Sequence, residues 1–168
     1  MKVEASPSAL NGYSGEALKA PAHALPASVR IYLNAAPAID LRDPRVKKAA
    51  AQLRVFLDGD EDPGLIDEAV GLWAASEIGN APPERRSPRV TRWRDRDASV
   101  AKTLERGWGS EEEKVRVRVA LLRSLGVPAR ECSFRGGPTL QYWAGRLDDA
   151  ADAKKKSTAT VRGEWVLS

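Results

Sequence analysis

Apolar residues recur with the spacing of a buried helix between Gly107 and Arg130, in the run GWGSEEEKVRVRVALLRSLGVPAR. Ser110 is a good N-cap residue and Glu113 completes a capping box, so the helix is predicted to begin at Ser110. Gly126 and Pro128 end it, because glycine suits the position after a helix and proline cannot continue one. The predicted core-facing positions are Val115, Val117, Val119, Ala120, Leu121, Leu122, Leu125 and Gly126. So wide an apolar surface predicts a helix that is mostly buried.

Two amphipathic helices are predicted before this one, each opened by an Asp-Pro pair. Asp43 and Asp62 are the N-cap residues, and each following proline takes the first helical position, where its missing N–H costs nothing. A third, short helix is predicted over Ala98 to Arg106, capped by Asp97. The predicted inward positions are Val46, Ala49, Ala50, Leu53 and either Phe56 or Leu57 in the first helix, Ile66, Ala69, Val70, Trp73 and Ile78 in the second, and Val100 and Leu104 in the third.

After the central helix the pattern changes from helical to strand-like. Short runs of aromatic and β-branched residues are separated by Gly136-Gly137-Pro138 and by the polar stretch Asp148 to Ser157. The predicted strands are Glu131 to Arg135, Leu140 to Leu147 and Thr158 to Leu167. Helices followed by strands predict an α+β protein, with the central helix (about 110–125) packed on a C-terminal antiparallel sheet.

The N-terminal region carries the weakest pattern. Residues Met1 to Ala27 are rich in Ala, Ser, Pro and Gly and have no sustained period, which indicates an extended or flexible arm. Ser28 to Leu33 is a short β-forming run that predicts a strand or an extended anchor. Residues 28–168 are then expected to form one domain.

The amino-acid composition limits which partners and cofactors are expected. With 168 residues and a formal charge of +4, the chain has the size of one globular domain and too little charge to indicate a nucleic-acid partner by itself. Cys132 and His23 are the only residues of their types, so neither an internal disulfide nor a cysteine-based zinc cluster is expected, and no cofactor is implied. No run has the length of a membrane span or the core of a secretory signal. Cytoplasm is therefore the default expectation, with an exported mature form left open.

A proline- and arginine-rich loop is predicted from Asn80 to Asp97. Arg92 and Arg94 flank Trp93, a pattern that suits phosphate contact combined with base stacking. The alternative is a solvated loop that its tryptophan pins to the core. We favour that alternative because nearby aspartates dilute the charge.

The central run also carries a family resemblance. The sequence ALLRSLGVPAR at Ala120 to Arg130, preceded by GWGS and EEEK, resembles the transglutaminase-like superfamily, whose members share the papain-type cysteine-peptidase architecture. Tyr32-Leu33, Asp43 to Val46 and Trp73 resemble the segments that precede the catalytic loop in that family. The resemblance implies a catalytic cysteine in the first turn of the central helix, where the helix N-terminus stabilises a thiolate. It also implies a histidine on a following strand and an aspartate beyond a Gly-x-Trp.

This sequence departs from the family at each catalytic position. Glu111 stands where the cysteine is expected, and Gln141 or Tyr142, within LQYWAG, where the histidine is expected. Glutamine does not titrate, and tyrosine does so only near pH ~10, so neither is a general base near neutrality. Gly163-Glu164-Trp165 matches the Gly-x-Trp, but the sequence ends at Ser168, about where the aspartate would follow, so a truncated C-terminus is left open. The resemblance therefore implies a member without the triad and without enzymatic activity.

The remaining reactive residues have simpler explanations. Ser110 lacks an activating histidine and is accounted for by its capping role. Cys132 lies on a predicted strand, where a lone cysteine is usually a small buried hydrophobe. The glutamates of the EEE run can be imagined as an acid/base pair or a metal site, but negative charge at a helix start is the commoner reason for them.

The expected function is a protein-interaction or scaffold module. Trp108 and Trp143 flank the two positions that the family uses for catalysis, so the former cleft is expected to be an aromatic-lined groove that binds a protein partner. One alternative is an acyl-transfer or cysteine-peptidase-type enzyme with a rearranged site that is built on Ser110 or Cys132 or is completed by a partner chain. Another is a nucleic-acid binder that uses Arg92, Trp93 and Arg94.

Overall fold

The computed structural model describes residues 22–82, 99–146 and 162–168. Its helices are α1 (Ala27–Arg30), α2 (Pro44–Leu57), α3 (Pro63–Glu77), α4 (Val100–Arg106) and α5 (Glu111–Ser124), with 3-10 turns at Ala22–Ala24 and Ile31–Leu33. Its strands are β1 (Gly79–Asn80), β2 (Trp108–Gly109), β3 (Ala129–Phe134), β4 (Gly137–Arg146) and β5 (Arg162–Leu167). The helices largely precede an antiparallel sheet, which confirms the predicted α+β class.

The central helix α5 organises the core. It contacts α2, α3 and α4 as well as strands β3 and β4. Its predicted inward positions are buried except Gly126, which is partly buried after the end of the helix; the buried ones are Val115, Val117, Val119, Ala120, Leu121, Leu122 and Leu125. Gly126 follows with φ +86°, and the Val127 N–H donates to Leu122 O at 2.9 Å, so the chain turns where the sequence predicted.

Helices α2 and α3 begin at the predicted caps. Asp43 accepts a bond from the Arg45 N–H at 2.8 Å, and Asp62 accepts one from the Gly64 N–H at 2.7 Å. The predicted inward residues are buried, except that Trp73 is only partly buried against the core. Of the two alternatives at the end of α2, Leu57 packs on the core and Phe56 is 72% exposed.

The cap of α4 differs from the prediction. Ser99 is the N-cap residue, and its hydroxyl accepts from the Lys102 N–H at 3.4 Å. A hydroxyl in this position satisfies the same orphan donor that Asp97 was expected to satisfy. Asp97 and Ala98 lie outside the described residues.

The segment before α2 is helical, so the predicted strand at Ser28 to Leu33 is wrong. The Val29 and Arg30 N–H groups both donate to Pro26 O at 2.9 Å, and these local bonds replace the strand pairing that β-branched residues favour. Leu25 is only 3% exposed and packs with Val29 against aromatic residues of the sheet. The predicted arm therefore does not extend to residue 27, since residues 22–24 form a 3-10 turn and Leu25 packs with Trp143 and Trp165 of the sheet. Residues 1–21 lie outside the described part.

The main sheet has the order β3-β4-β5 and is antiparallel throughout. A two-residue turn at Arg135 and Gly136, both with positive φ, joins β3 to β4, so β4 starts at Gly137, before the predicted start. Pro138 is tolerated within β4 because β5 pairs only from Gln141 onward.

The two faces of this sheet have different neighbours. Leu140 and Tyr142 pack in the main core with α5. Side chains alternate along a strand, so Gln141 and Trp143 lie on the opposite face. We call this opposite face, which carries Arg130, Gln141, Trp143 and Trp165, the outer sheet face. Residues 22–33 cover part of it.

Candidate functional site

The start of α5 is held by the loop that precedes it. Gly107 has φ +69° and ends α4, and the next two residues form β2, which pairs in parallel with β1. A side chain at Gly109 would be crowded, because a Cβ there would lie 3.1 Å from Thr103 Cγ2 and 3.2 Å from Glu113 Cβ. The sequence did not predict the β1–β2 pair, and it assigned Asn80 to a loop. The pair brings two distant segments together at the helix N-terminus.

The predicted capping box is present at this helix start. Ser110 Oγ accepts from the Glu113 N–H at 3.3 Å, and Glu113 Oε2 accepts from the Ser110 N–H at 2.8 Å. The Arg106 guanidinium also donates to Glu113 Oε2, so the carboxylate is charge-paired although it is only 4% exposed. The second oxygen, Oε1, is buried with no protein partner. The capping hydrogen bonds and the ion pair with Arg106 therefore explain why Ser110 and Glu113 stand at this helix start.

Glu111 occupies the position where the family resemblance expects a cysteine. Its side chain is 72% accessible, and its Oε1 lies 3.2 Å from Lys114 Nζ. Lys114 also donates to Asn80 Oδ1. A solvated carboxylate beside a lysine stabilises the helix start electrostatically, but it has no thiolate chemistry.

The two candidate histidine positions are neighbours on β4. Gln141 pairs with Arg130 of β3, and Tyr142 pairs with Ala129. The Ala129 carbonyl accepts from Arg123 Nε, in the last turn of α5, at 2.9 Å.

Tyr142 is a neutral phenol in its surroundings. Burial raises the pKa of Tyr142 above its usual value, and the negative charges of Asp67 and Asp62 raise it further. Its hydroxyl lies beside Gly64 at the start of α3, where an added Cβ would be 3.6 Å away. A phenol held in the protonated form can donate a hydrogen bond near neutral pH, but it cannot accept a proton as a general base.

Gln141 belongs instead to a cluster on the outer sheet face. Its Oε1 accepts from Arg130 Nε at 3.0 Å and from Arg130 Nη2 at 2.8 Å. The Arg130 guanidinium carbon lies 4.1 Å from the centroid of the Trp165 ring and 5.7 Å from that of Tyr32. The sequence analysis missed this cluster, since only the tertiary fold brings Tyr32 to the sheet.

The two tryptophans that were expected to share a groove lie in different places. Trp108 is in β2, under the Arg106 guanidinium, whose carbon is 3.9 Å from the ring centroid. Trp143 is on the outer sheet face, 5.5 Å from Trp165 between ring centroids, and packs with Leu25 and Val29. Its indole Nε1 is buried without a protein partner. The two rings therefore contact different side chains, and the binding role of each remains a prediction.

The remaining candidates divide between described and undescribed parts of the chain. Cys132 is a free, half-buried cysteine on β3, less buried than expected. Arg92, Trp93 and Arg94 lie outside the described residues, so their role stays a prediction.

Within the described ranges, no group of three or more His, Cys, Asp or Glu side chains is placed to hold a metal ion. In those same ranges no helix has the length and apolar character of a membrane span.

A central helix packed against other helices on one side and an antiparallel sheet on another defines an α+β papain-like core, as the sequence predicted. Among solved structures the chain is similar to the crystal structure of "a Putative Cysteine Protease from Cytophaga hutchinsonii", with a TM-score of 0.56 and 14% sequence identity. The match covers 91% of this chain and 57% of that chain, so this chain spans a little over half of that protein's length. At such identity the similarity shows the fold alone. No protein-family model matches the sequence, and no curated protein matches it.

Proposed function

We propose that this chain is a catalytically inactive transglutaminase-like domain that acts as a protein-interaction or scaffold module. The start of α5 carries the proposal. There the family's nucleophile position holds Glu111, which is solvated and paired with Lys114 at 3.2 Å. A carboxylate in water cannot take the place of a thiolate as the attacking group in acyl transfer.

The neighbouring groups support the same proposal. The Ser110 hydroxyl accepts the Glu113 N–H, so it is oriented for capping. Gln141 is bound to Arg130, and Tyr142 is a phenol with a raised pKa, so neither offers a base to a nucleophile. His23 is the one histidine in the sequence, and it lies in the exposed turn before α1.

An enzyme with a rearranged site is the competing proposal. The structurally similar protein is described as a putative cysteine protease, and Cys132 lies two residues from Arg130 on the same strand face. This candidate predicts a reactive thiol on the outer sheet face.

Covalent labelling separates the two proposals. The purified protein is treated with a thiol-directed probe and a serine-directed probe at stoichiometric concentration, beside the variants Cys132→Ser and Ser110→Ala. We expect labelling no faster than that of a cysteine in the urea-unfolded chain. Rapid labelling that Cys132→Ser or Ser110→Ala abolishes, with the fold retained by circular dichroism, would contradict the inactive-domain proposal.

Affinity capture from the native cell tests the interaction role. We expect a stoichiometric protein partner or an assembly whose mass in light scattering exceeds that of the 18.2 kDa chain. A clean monomer with nothing bound would remove the scaffold role.

A further inference from the structure

Residues 22–33 form a small apolar cluster with the outer sheet face, and we call this segment the strap. Leu25 is 3% exposed and Val29 is 4% exposed, and both pack with Trp143 and Trp165. This cluster is separate from the main core around α5. Strand β4 contributes alternate side chains to the two clusters, so the sheet lies between them.

The hydrogen bonds of the strap are internal. Two of its N–H groups donate to Pro26 O at 2.9 Å, and the Asn34 N–H, just after the strap, donates back to Ile31 O at 3.2 Å. The Arg30 guanidinium donates to Leu25 O at 3.3 Å. Among the described residues, no backbone hydrogen bond joins the strap to the sheet that it covers. Side-chain packing therefore holds the strap on the outer sheet face.

Tyr32 is the strap residue that contacts the Arg130 cluster. Its ring lies 5.7 Å from the Arg130 guanidinium carbon, and it meets the Trp165 ring edge to face with the centroids 5.2 Å apart. Arg130 also donates from Nη2 to Gln141 Oε1 at 2.8 Å and lies over the Trp165 ring. These two contacts lie within the sheet. Removal of Tyr32 from the cluster therefore leaves the cation with partners.

The chain is fixed to the main core directly after the strap. Asn34 O accepts from Arg123 Nη1 of α5 at 2.7 Å, and Ala38 O accepts from the Val100 N–H of α4 at 3.0 Å. Ile39 is 3% exposed and belongs to the main core. Rotation of the backbone just before Asn34 would therefore lift the strap from the sheet with these contacts retained.

The cluster under the strap also contains an unsatisfied donor. Trp143 Nε1 is buried with no protein partner, and a buried donor without an acceptor costs free energy, which offsets part of the gain from packing. We propose that the strap detaches from the outer sheet face as one unit while the main core stays folded, and that it thereby controls access to Arg130, Trp143 and Trp165. Such partial openings occur in segments with few buried apolar contacts.

The first test is native-state hydrogen exchange of the full chain, measured by mass spectrometry at several urea concentrations below the unfolding transition. We expect the amides of the strap to exchange at least about a hundredfold faster than those in the middle of α5, after correction for intrinsic rates, because the strap opens without α5. Equal protection of the two segments would mean that the strap opens only when the whole protein unfolds, and it would overturn the proposal.

The second test measures whether opening uncovers the two tryptophans. Val29→Asp places a charge in the strap cluster, and Ile31→Asp is the matched control because Ile31 lies in the strap but is 58% exposed. Hydroxyl-radical labelling of the full chain, mapped by mass spectrometry, should modify Trp143 and Trp165 at least about fivefold faster in Val29→Asp than in the control. Trp73 packs on the main core and should react equally in both. Equal labelling of Trp143 and Trp165 in the two variants, or faster labelling of Trp73 in Val29→Asp, would overturn the proposal.

The third test uses the limit that a detachable strap sets on stability. Once the strap is open, further changes to its side chains no longer affect the folded main core. If Leu25→Asp detaches the strap, adding Tyr32→Ala should leave the urea midpoint of the helical circular dichroism unchanged. A Leu25→Asp chain that does not fold, or a further fall in the double variant, would overturn the proposal. Labelling of Cys132 or Ser110 bears only on the inactive domain, so the two proposals can fail separately.

Discussion

Arg118 of α5 donates from Nη2 to Asp67 Oδ1 of α3 across 3.0 Å, which ties the central helix to its largest helical neighbour. The same guanidinium reaches the Ser168 hydroxyl just after β5. The accessible fraction is 11% for the Asp67 side chain and 24% for that of Arg118. This ion pair joins helical and sheet parts of the fold where little water screens it.

Removing the Asp67 carboxylate should destabilise the protein measurably. Asp67→Ala leaves the guanidinium without its anion, and we expect a loss of about 2–3 kcal/mol, below the full buried-pair range because Arg118 keeps some solvent. Urea unfolding gives the free energy. Glu105→Ala is the control, since it breaks the Arg45–Glu105 pair, which has 46% and 64% accessible side chains, and it should cost less than about 1 kcal/mol. Equal losses in the two variants would show that burial does not strengthen the Asp67 pair.

In the capping box, the buried Glu113 carboxylate should contribute more to the stability of the protein than the Ser110 hydroxyl. Glu113→Ala removes the acceptor of both Arg106 and the Ser110 N–H, and we expect a loss of about 2–3 kcal/mol. Ser110→Ala removes one neutral cap and should cost about 1 kcal/mol. The neighbouring Glu112→Ala is the exposed control and should stay within about 0.5 kcal/mol. If Glu113→Ala and Glu112→Ala unfold at the same urea concentration, Glu113 does not support this helix start.

The Tyr142 phenol should reduce stability at high pH. Its pKa in the folded state is raised above the unfolded value of about 10, so above that pH the unfolded chain loses the proton first. The folded state then holds more protons, and stability falls as pH rises through this range. The stability contribution is fully present below pH ~10. Urea unfolding above that pH should therefore show a steeper loss for the wild type than for Tyr142→Phe. A difference ultraviolet titration of the two proteins that centres at or below pH ~10 would contradict the raised pKa.

Gly163 should resist substitution because of its neighbours in β4. A Cβ at this position would lie 2.5 Å from Ala144 O and 2.7 Å from Trp143 Nε1, so the strands would have to separate. We expect Gly163→Ala to cost about 2 kcal/mol or more by thermal or urea unfolding. Gly137→Ala is the matched strand control, since its Cβ would meet only Phe134 O, at 3.8 Å. Equal stability of the two variants would show that the β4–β5 spacing adjusts freely.

In α2, sequence periodicity predicted which side of the helix is buried, but it did not predict which of the last apolar residues is exposed. The spacing of Val46, Ala49, Ala50 and Leu53 predicted the buried side correctly. The run Val55-Phe56-Leu57 contains more apolar residues than one face needs, and this excess was the available signal for an exposed surface. Periodicity left both residues open, and in the structure Leu57 packs on the core while Phe56 is exposed.

The candidate site was predictable only in part for a similar reason. The sequence identified Ser110 and Glu113 as a capping box because both partners lie within one turn of helix. The outer sheet face could not be found in this way, since Tyr32, Arg130 and Trp165 are far apart in sequence. Likewise, the neighbours of Trp108 and Trp143 could not be predicted, since Trp108 packs under Arg106 and Trp143 packs with Leu25 and Val29.

The sequence by itself determined the α+β class, the starts of α2, α3 and α5, and the buried stripe of the central helix. These depend on local bonds and on periodicity, which a short stretch of chain contains. Tertiary structure alone decided that Ser28 to Leu33 forms helical turns, that β1 pairs with β2, and that Tyr32, Arg130 and Trp165 meet on the outer sheet face. Each of these features depends on contacts with a segment that is distant in sequence. The free energy gained by burying apolar surface in those contacts outweighs the local conformational propensity.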